Sequence, residues 1–216
     1  MVALLSEATM ARDEIVAVGR SIFDRGLTAG STGNISVRLS DGSMLMTPTN
    51  ASLGSLDPHT LSHVDPDGAL LSGHMPTKEA FLHTCMYCAR GNDNAVVHLH
   101  STHAVAVSIL QGLDPENLLP PLTAYYIVRV GRLPLIPYFA PGDEALAKAV
   151  GQKAGKHHAV LLANHGPVVS GTTLANALYA TEELEETAKL YLLLGNLPIR
   201  PLTPEQVDAL HRKALR

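Results

Sequence analysis

The sequence lacks the features that mark membrane, secreted and nucleic-acid-binding proteins. Its longest apolar runs fall far short of the roughly 18 residues that a membrane-spanning helix needs. The first residues carry neither a cationic start nor a long apolar stretch, so we expect no secretory signal. A net charge of −4 and a pI near 6.2 argue against nucleic-acid binding, because such domains usually carry a basic patch. We therefore expect a cytoplasmic protein.

Cysteine is also scarce, and the two that occur, Cys85 and Cys88, form a Cys-x-x-Cys pair. Such a pair can be redox-active or supply half of a zinc site. No second pair follows, and this one falls inside a predicted helix, 78–90, rather than at a helix N-terminus. We expect two reduced thiols that are buried or partly buried.

The chain has 216 residues, no internal repeat and no linker, which favours one domain over residues 1–216. Apolar periodicity and turn signals predict an α/β protein whose sheet, built partly from hairpins, is layered by helices rather than wound from regular βαβ units. Residues 48–58 read as a loop, and residues 123–138 as a strand interrupted by Gly131 and Pro134. Four glutamates are expected on the solvated face of the helix over 174–194: Glu182, Glu183, Glu185 and Glu186.

Three histidines follow apolar, strand-like runs. His98 and His100 end the run Ala-Val-Val-His-Leu-His, and His165 ends a second run just before Gly166. Residues two apart in a strand point the same way, so the imidazoles of His98 and His100 should share one face. Three imidazoles that leave a coordination position open are the pattern of a catalytic metal site. Because the chain holds eleven histidines, a chance His-x-His remains the alternative.

Polar segments elsewhere could bind an anion. The loops 31–34 and 47–50 combine glycine, hydroxyl and amide groups, which can approach and donate to phosphate oxygens. Thr77 starts a predicted helix, whose N-terminus favours anions, and Lys78 adds a full positive charge. A plain helix-to-strand turn is the alternative for the first loop. Glu79, in the first turn of that helix, is either a surface residue or part of the site, and the same choice stays open for His83.

Taken in order, these segments resemble a known family. Thr-Gly-Asn-Ile-Ser-Val-Arg, Thr-Pro-Thr, Pro-Thr-Lys-Glu, Ala-Val-Val-His-Leu-His and Asn-His-Gly follow the order and spacing of the class II aldolase/adducin family over roughly residues 10–195. The resemblance implies a three-layer α/β/α sandwich around a mostly antiparallel or mixed sheet, usually in a homotetramer with the active site near a subunit interface. It implies a divalent metal, Zn²⁺ first among Mn²⁺, Co²⁺ and Fe²⁺, held by His98, His100 and His165.

The resemblance also implies roles for other residues. Glu79 matches the acid/base glutamate, and a tyrosine from a neighbouring subunit, the proton donor, falls on Tyr125 or Tyr126. The substrate- and phosphate-binding positions fall on Thr32, Gly33, Asn34, Thr49, Asn50, Thr77 and Lys78.

Two departures from the aldolase pattern bear on the reaction. Aldolases of the family have Ser-Ser-Glu where this chain has Thr77-Lys78-Glu79, and Thr-Gly where it has Thr49-Asn50. Together with the segments 123–131 and 138–143, these departures look like the 3-oxo-tetronate 4-phosphate decarboxylase subgroup. Such an enzyme of sugar-acid catabolism is a carboxy-lyase that releases CO₂ and dihydroxyacetone phosphate through a metal-stabilised enediolate.

Two other functions stay open at this point. One is a sugar-phosphate aldolase or epimerase of the L-fuculose-1-phosphate aldolase or L-ribulose-5-phosphate 4-epimerase type. The other is a non-catalytic scaffold of the adducin kind, which keeps the fold but not the metal site; the presence of all three histidines and Glu79 counts against it.

Overall fold

An eight-stranded mixed sheet runs through the middle of the molecule, in the order β4-β3-β2-β1-β5-β8-β7-β6. The computed structural model describes residues 2–140 and 143–214. Neighbouring strands are antiparallel except β6 and β7, which are parallel. The strands are β1 Asn34–Arg38, β2 Met44–Met46, β3 Ser62–Val64, β4 Leu70–Ser72, β5 Ala95–His98, β6 Leu135–Ile136, β7 Ala159–Leu162 and β8 Gly166–Gly171.

Helices cover both faces of this sheet. They are α1 Val2–Asp24, α2 Ala80–Ala89, α3 Thr102–Ile109, α4 Ala124–Arg129, α5 Glu144–Ala154, α6 Leu174–Leu194 and α7 Pro204–Ala214. A short 3₁₀ turn, Leu53–Ser55, lies in the predicted loop 48–58. Within the part of the chain that the structure describes, no helix is both long and apolar enough to cross a membrane.

The central strands are buried on both faces, and their alternating side chains form separate layers of the core. In β5, Val97 packs with α1 and the start of α6, whereas Val96 packs with α2 and α5 on the opposite face. In β7, Leu161 joins the layer formed by α3, α4 and α6, and Val160 joins the layer of α2 and α5. This two-sided burial confirms the expected α/β/α sandwich with a mixed, mostly antiparallel sheet.

The prediction of a strand over 123–138 is wrong in its first half. Residues 124–129 form α4, because the Thr123 hydroxyl accepts a hydrogen bond from the Tyr126 amide at 3.0 Å and caps the helix start. The helix ends at Arg129, and the chain turns at Gly131, whose φ of +76° is readily adopted by glycine and whose amide donates to the Tyr126 carbonyl. Two of the apolar residues that suggested a strand, Tyr126 and Ile127, instead pack into the core from this helix.

Other expectations need smaller corrections. Among the four glutamates, Glu185 is buried rather than solvated. The thiols of Cys85 and Cys88 are free, as expected, but Cys88 is exposed rather than buried. The strands β3 and β4 were not predicted. Part of the segment 138–143, namely Pro141 and Gly142, lies outside the described residues.

Candidate active site

The first two histidines lie where β5 ends. His98 is the last residue of the strand and is fully buried, and His100 follows two positions later. The Nε2 atoms of the two rings are 3.2 Å apart, so both imidazoles do project to one side, as the two-residue spacing predicts. On β5, Val96 and His98 share the face that α2 covers, which brings the imidazole of His98 to the N-terminal end of that helix.

The turn between β7 and β8 supplies the third histidine. Its Nε2 atom, on His165, lies 3.3 Å from that of His98 and 3.0 Å from that of His100. Gly166 allows this approach, since a Cβ atom there would lie 2.1 Å from the Leu99 carbonyl oxygen, far inside van der Waals contact. The β5–β8 pairing, which sets His98 opposite Val168, then holds the turn beside the two other histidines.

These three nitrogens suit a divalent metal. Ligands about 2.0–2.1 Å from a tetrahedral ion lie about 3.3 Å from one another, close to the 3.0–3.3 Å separations here. The tautomer of His98 also fits: its Nδ1 lies 2.8 Å from the Pro167 carbonyl oxygen, which can only accept. The proton must therefore sit on Nδ1, so the lone pair of Nε2 faces the cluster.

A carboxylate closes the cluster. Glu79 precedes the first residue of α2, and its Oε1 lies 3.1 Å from His165 Nε2 while its Oε2 lies 3.4 Å from His98 Nε2. The nearest ligand atoms of Glu79 and the three histidines all fall within 4.8 Å of one another. The group can therefore offer three imidazole nitrogens and one carboxylate oxygen to a cation.

Protonation states in the cluster are displaced in the directions that metal binding needs. Burial, with smaller contributions from His98 and His165, lowers the pKa of His100 to about 4, which keeps it neutral near pH 7. Burial by itself raises the pKa of Glu79, but the imidazoles of His165 and His98 beside the carboxylate and the hydrogen bond from the Asn34 amide outweigh it and hold that pKa well below its ordinary value. A neutral imidazole and an ionised carboxylate are the ligand forms of these side chains.

The predicted anion-binding segments meet beside Glu79. Residues 47–50 pair with 75–77 through bonds from the Thr77 amide to the Thr47 carbonyl and from the Thr49 amide to the Met75 carbonyl. The Thr77 hydroxyl accepts from the Glu79 amide at 3.3 Å. Lys78, next to it, is exposed. Lys78 thus directly precedes Glu79 in the chain and presents its charged side chain to solvent.

The first loop lies against the opposite side of the same group. Gly33 has φ of +79° and passes so close to β5 that a Cβ atom would lie 3.0 Å from the His98 carbonyl oxygen. Asn34 is buried and donates from Nδ2 to Glu79 Oε2 at 2.8 Å. The hydroxyl of Thr32, an exposed residue, donates to the Ala29 carbonyl oxygen at 2.7 Å. The structure therefore brings Asn34 to the carboxylate, whereas the Thr32 hydroxyl bonds within its own loop.

The two candidate tyrosines have opposite surroundings on α4. Tyr126 is fully buried in the core, and its hydroxyl has no hydrogen-bond partner among the described residues. Tyr125 is 66% exposed. The guanidinium of Arg129 lies 5.9 Å from the Tyr125 ring centre and 5.2 Å from that of Tyr179. Of the two hydroxyls, only that of Tyr125 is accessible to another molecule.

Two buried polar residues were not assigned a place by the sequence: the role of His83 was left open, and Glu185 was expected to be solvated. His83 is fully buried and contacts Asn34. Glu185 accepts hydrogen bonds from the amides of His103 and Ala104 and lies 2.8 Å from His103 Nδ1. A sequence signal existed for His83, because it follows Glu79 by four residues and so shares its helix face. No comparable signal marked Glu185, because it stands in one acidic run with Glu182, Glu183 and Glu186.

The chain is similar to known proteins over most of its length. The family model of the class II aldolase and adducin N-terminal domain matches residues 13–192. The chain is 48% identical over 199 residues to the 3-oxo-tetronate 4-phosphate decarboxylase of Escherichia coli strain K12, with 92% of this chain and 94% of that protein covered. It is 34% identical over 192 residues to the L-fuculose phosphate aldolase of the same strain, with 87% and 86% covered.

Solved structures agree. The crystal structure of YgbL from Escherichia coli superposes with a TM-score of 0.92 at 46% identity, covering 94% of this chain and 98% of that one. An L-fuculose 1-phosphate aldolase superposes with a TM-score of 0.84 at 26% identity, covering 95% and 96%. With most of its length matched in sequence and in fold, the chain belongs to the class II aldolase and adducin family.

Proposed function

We propose that this protein is a metal-dependent carboxy-lyase that converts a 3-oxo-tetronate 4-phosphate into dihydroxyacetone phosphate and CO₂. The observation that carries the proposal is the convergence of His98, His100 and His165 on one point beside Glu79. Lys78, which directly precedes Glu79 in the chain, is exposed. Relatives named as this decarboxylase are 46–48% identical to the chain, whereas relatives named as aldolases are 31–36% identical.

The reaction breaks one carbon–carbon bond of the substrate. A divalent cation bound by the three imidazoles would withdraw electrons from the ketone and the adjacent hydroxyl, and so stabilise the charge that develops as CO₂ leaves. The electron pair of the C1–C2 bond passes to C2 and the C3 oxygen, giving an enediolate. Protonation at C2 then completes dihydroxyacetone phosphate. Because the leaving carboxylate is already ionised, the cleavage itself needs no base.

The chain's own residues would handle the final proton. Glu79 is ionised in the folded protein, since its pKa lies below the ordinary value, so it cannot store the proton itself. We propose that it instead relays the proton through a water molecule. Tyr125 is the proposed donor, reaching the site of a neighbouring subunit, because its ring is exposed whereas that of Tyr126 is fully buried.

The remaining residues would bind the charged ends of the substrate. Lys78 is proposed to pair with the phosphate or to orient the carboxylate without holding it in place, since firm pairing would oppose its departure. The backbone and side chains of the surrounding loops would supply further donors: Thr32, Gly33, Asn34, Thr49, Asn50 and Thr77. We further propose Zn²⁺ as the ion, one domain over the whole chain, a homotetramer and a cytoplasmic location.

The experiment incubates metal-loaded protein with a 3-oxo-tetronate 4-phosphate and measures CO₂ and dihydroxyacetone phosphate together. We expect equal amounts of both products. Glu79→Gln should retain the metal but turn over roughly 100- to 10,000-fold more slowly, the usual worth of a positioned acid/base group. Glu186→Gln, on the exposed face of α6, is the matched control and should keep the wild-type rate. Release of an aldehyde from a sugar phosphate without CO₂ would instead identify an aldolase.

A further inference from the structure

A line of buried polar side chains leads from Glu79 into the interior between β1 and α2. Asn34 Nδ2 lies 2.8 Å from Glu79 Oε2, and Asn34 Oδ1 lies 2.5 Å from His83 Nε2. His83 Nδ1 lies 2.7 Å from the Ser36 hydroxyl, which lies 2.6 Å from the Tyr87 hydroxyl. Asn34, Ser36, His83 and Tyr87 are all buried.

The line forms because the two-residue repeat of β1 lies against the four-residue repeat of α2. Asn34 and Ser36 are two apart on β1 and share one face of the strand. Glu79, His83 and Tyr87 are four apart, and so lie one turn above another on the same side of α2. Each strand residue therefore reaches two helix residues, and the polar groups meet in sequence rather than at one point.

Chemistry fixes the direction of every hydrogen bond in this line. An ionised Glu79 can only accept, so Asn34 must face it with Nδ2 and face His83 with Oδ1. Oδ1 can only accept, so His83 must carry a proton on Nε2. Full burial lowers the pKa of His83 to about 3, which leaves the ring neutral with a single N–H. Its Nδ1 therefore accepts.

The directions of the hydrogen bonds at Ser36 and Tyr87 follow from the same count of donors and acceptors. The Ser36 hydroxyl must give its one proton to His83 Nδ1. Ser36 can then only accept from Tyr87, so the Tyr87 hydroxyl donates. All donors point toward Glu79, and no member of the line can reverse alone without placing two acceptors or two donors in contact at a buried site.

We propose that His83 is a positioning residue for Glu79: held in its Nε2–H tautomer by Ser36 and Tyr87, it locks the Asn34 amide so that Nδ2 faces the carboxylate. Without His83, the amide is free to turn and present Oδ1 to Glu79, which would repel the carboxylate. The role rests on the proposed function of Glu79 and deepens it, because it explains how a carboxylate at a helix start is kept against two imidazoles.

The first test reads the tautomer directly and needs no substrate. A neutron crystal structure of the metal-loaded protein after exchange into D₂O should show deuterium on Nε2 and none on Nδ1 of His83. It should also show the Tyr87 deuteron directed at Ser36. Deuterium on Nδ1 would overturn the proposal, as would a doubly labelled ring. This result does not depend on whether the protein decarboxylates a substrate. It therefore separates failure of the proposed role of His83 from failure of the proposed function.

The second test measures how the line of buried side chains affects turnover. His83→Leu should retain the metal and keep KM within about twofold, while kcat falls at least tenfold because Glu79 is misplaced. His83→Gln keeps an amide N–H that can reach Asn34 and should recover most of that loss. The matched control is His158→Leu, which removes a half-buried imidazole just before β7, at the other end of that strand from His165. Equal kcat values for His83→Leu and the control would overturn the proposal, and if His83→Leu does not fold, the neutron result decides.

Discussion

Replacing Glu185 by glutamine should destabilise the protein far more than the same change at its neighbours on α6. One carboxylate oxygen lies 2.9 Å from the His103 amide and 2.8 Å from His103 Nδ1, and the other accepts from the Ala104 amide at 2.8 Å. These groups belong to the first turn of α3, where amides lack partners within the helix. Glu185 thus caps α3 from another helix.

The expected magnitude follows from what glutamine cannot do. Its amide keeps one accepting oxygen but turns an NH₂ group toward a donor, so at least one backbone N–H and one amide hydrogen are left buried without an acceptor. Each such group costs about 1–3 kcal/mol, so we expect Glu185→Gln to lower the free energy of unfolding by about 2–6 kcal/mol. Glu183 accepts a single bond from the Thr123 hydroxyl, which glutamine can still accept, so its loss should stay near or below about 1 kcal/mol.

Urea unfolding at fixed protein and metal concentrations is the assay, because metal binding and association both shift apparent stability. Glu186→Gln is the reference, since that side chain is 64% exposed and its one ion pair, to Lys189, is 3.9 Å long. We expect it to stay within about 0.5 kcal/mol of wild type. If Glu185→Gln and Glu186→Gln unfold at the same urea concentration with the same slope, the capping role assigned to Glu185 is wrong.

Four further outcomes are expected. His98→Ala should bind the metal at least roughly 100-fold more weakly, since even loss of a residue that hydrogen-bonds to a metal ligand lowers metal affinity about 10- to 100-fold. Metal retained through dialysis would remove His98 from the ligand set. Lys78→Ser should raise KM for the phosphorylated acid roughly 10- to 100-fold, as loss of a charged hydrogen bond of about 1.5–3 kcal/mol implies, and an unchanged KM would argue against its role. Tyr126→Phe removes a buried hydroxyl that has no partner among the described residues, so it should leave the free energy of unfolding unchanged or raise it by up to about 1 kcal/mol. Tyr87→Phe removes a hydroxyl that is hydrogen-bonded to Ser36 and should lower the free energy of unfolding by about 1 kcal/mol. Equal losses for the two variants in urea unfolding would contradict both assignments. Because burial lowers the pKa of His83 from 6.5 to about 3, the unfolded chain binds this proton more readily than the folded protein does. The free energy of unfolding should therefore fall progressively as the pH falls from about 6.5 toward about 3. His83→Gln should reduce this dependence of the free energy of unfolding on pH, and an identical dependence would contradict the burial argument.

Local patterns in the sequence were sufficient for the features that depend on neighbours along the chain. The two-residue spacing of His98 and His100 predicted their shared face, and the structure confirmed it. Apolar periodicity predicted a helix over 174–194, and α6 spans those residues. The family resemblance, carried by short motifs in order, was confirmed by the match over residues 13–192. Each of these signals is written in a few consecutive residues or in a fixed order.

The tertiary structure decided everything that depends on which segments meet. Residues 123–138 and Glu185 were misread because core packing and a cap from a distant helix outweigh local propensity and helical spacing. The choice between Tyr125 and Tyr126 depends on which side of α4 faces the core, a side that two adjacent tyrosines do not reveal.

The site itself shows the same division. The sequence determined that three histidines and one glutamate were present on suitable elements. Only the folded chain placed His165 against His98, 67 residues away, because that contact depends on strand pairing and on a glycine that lets two backbones touch. The buried line from Glu79 to Tyr87 likewise needs β1 and α2 to lie in register. Distance in space between residues far apart in sequence is set by packing, which a single sequence does not display.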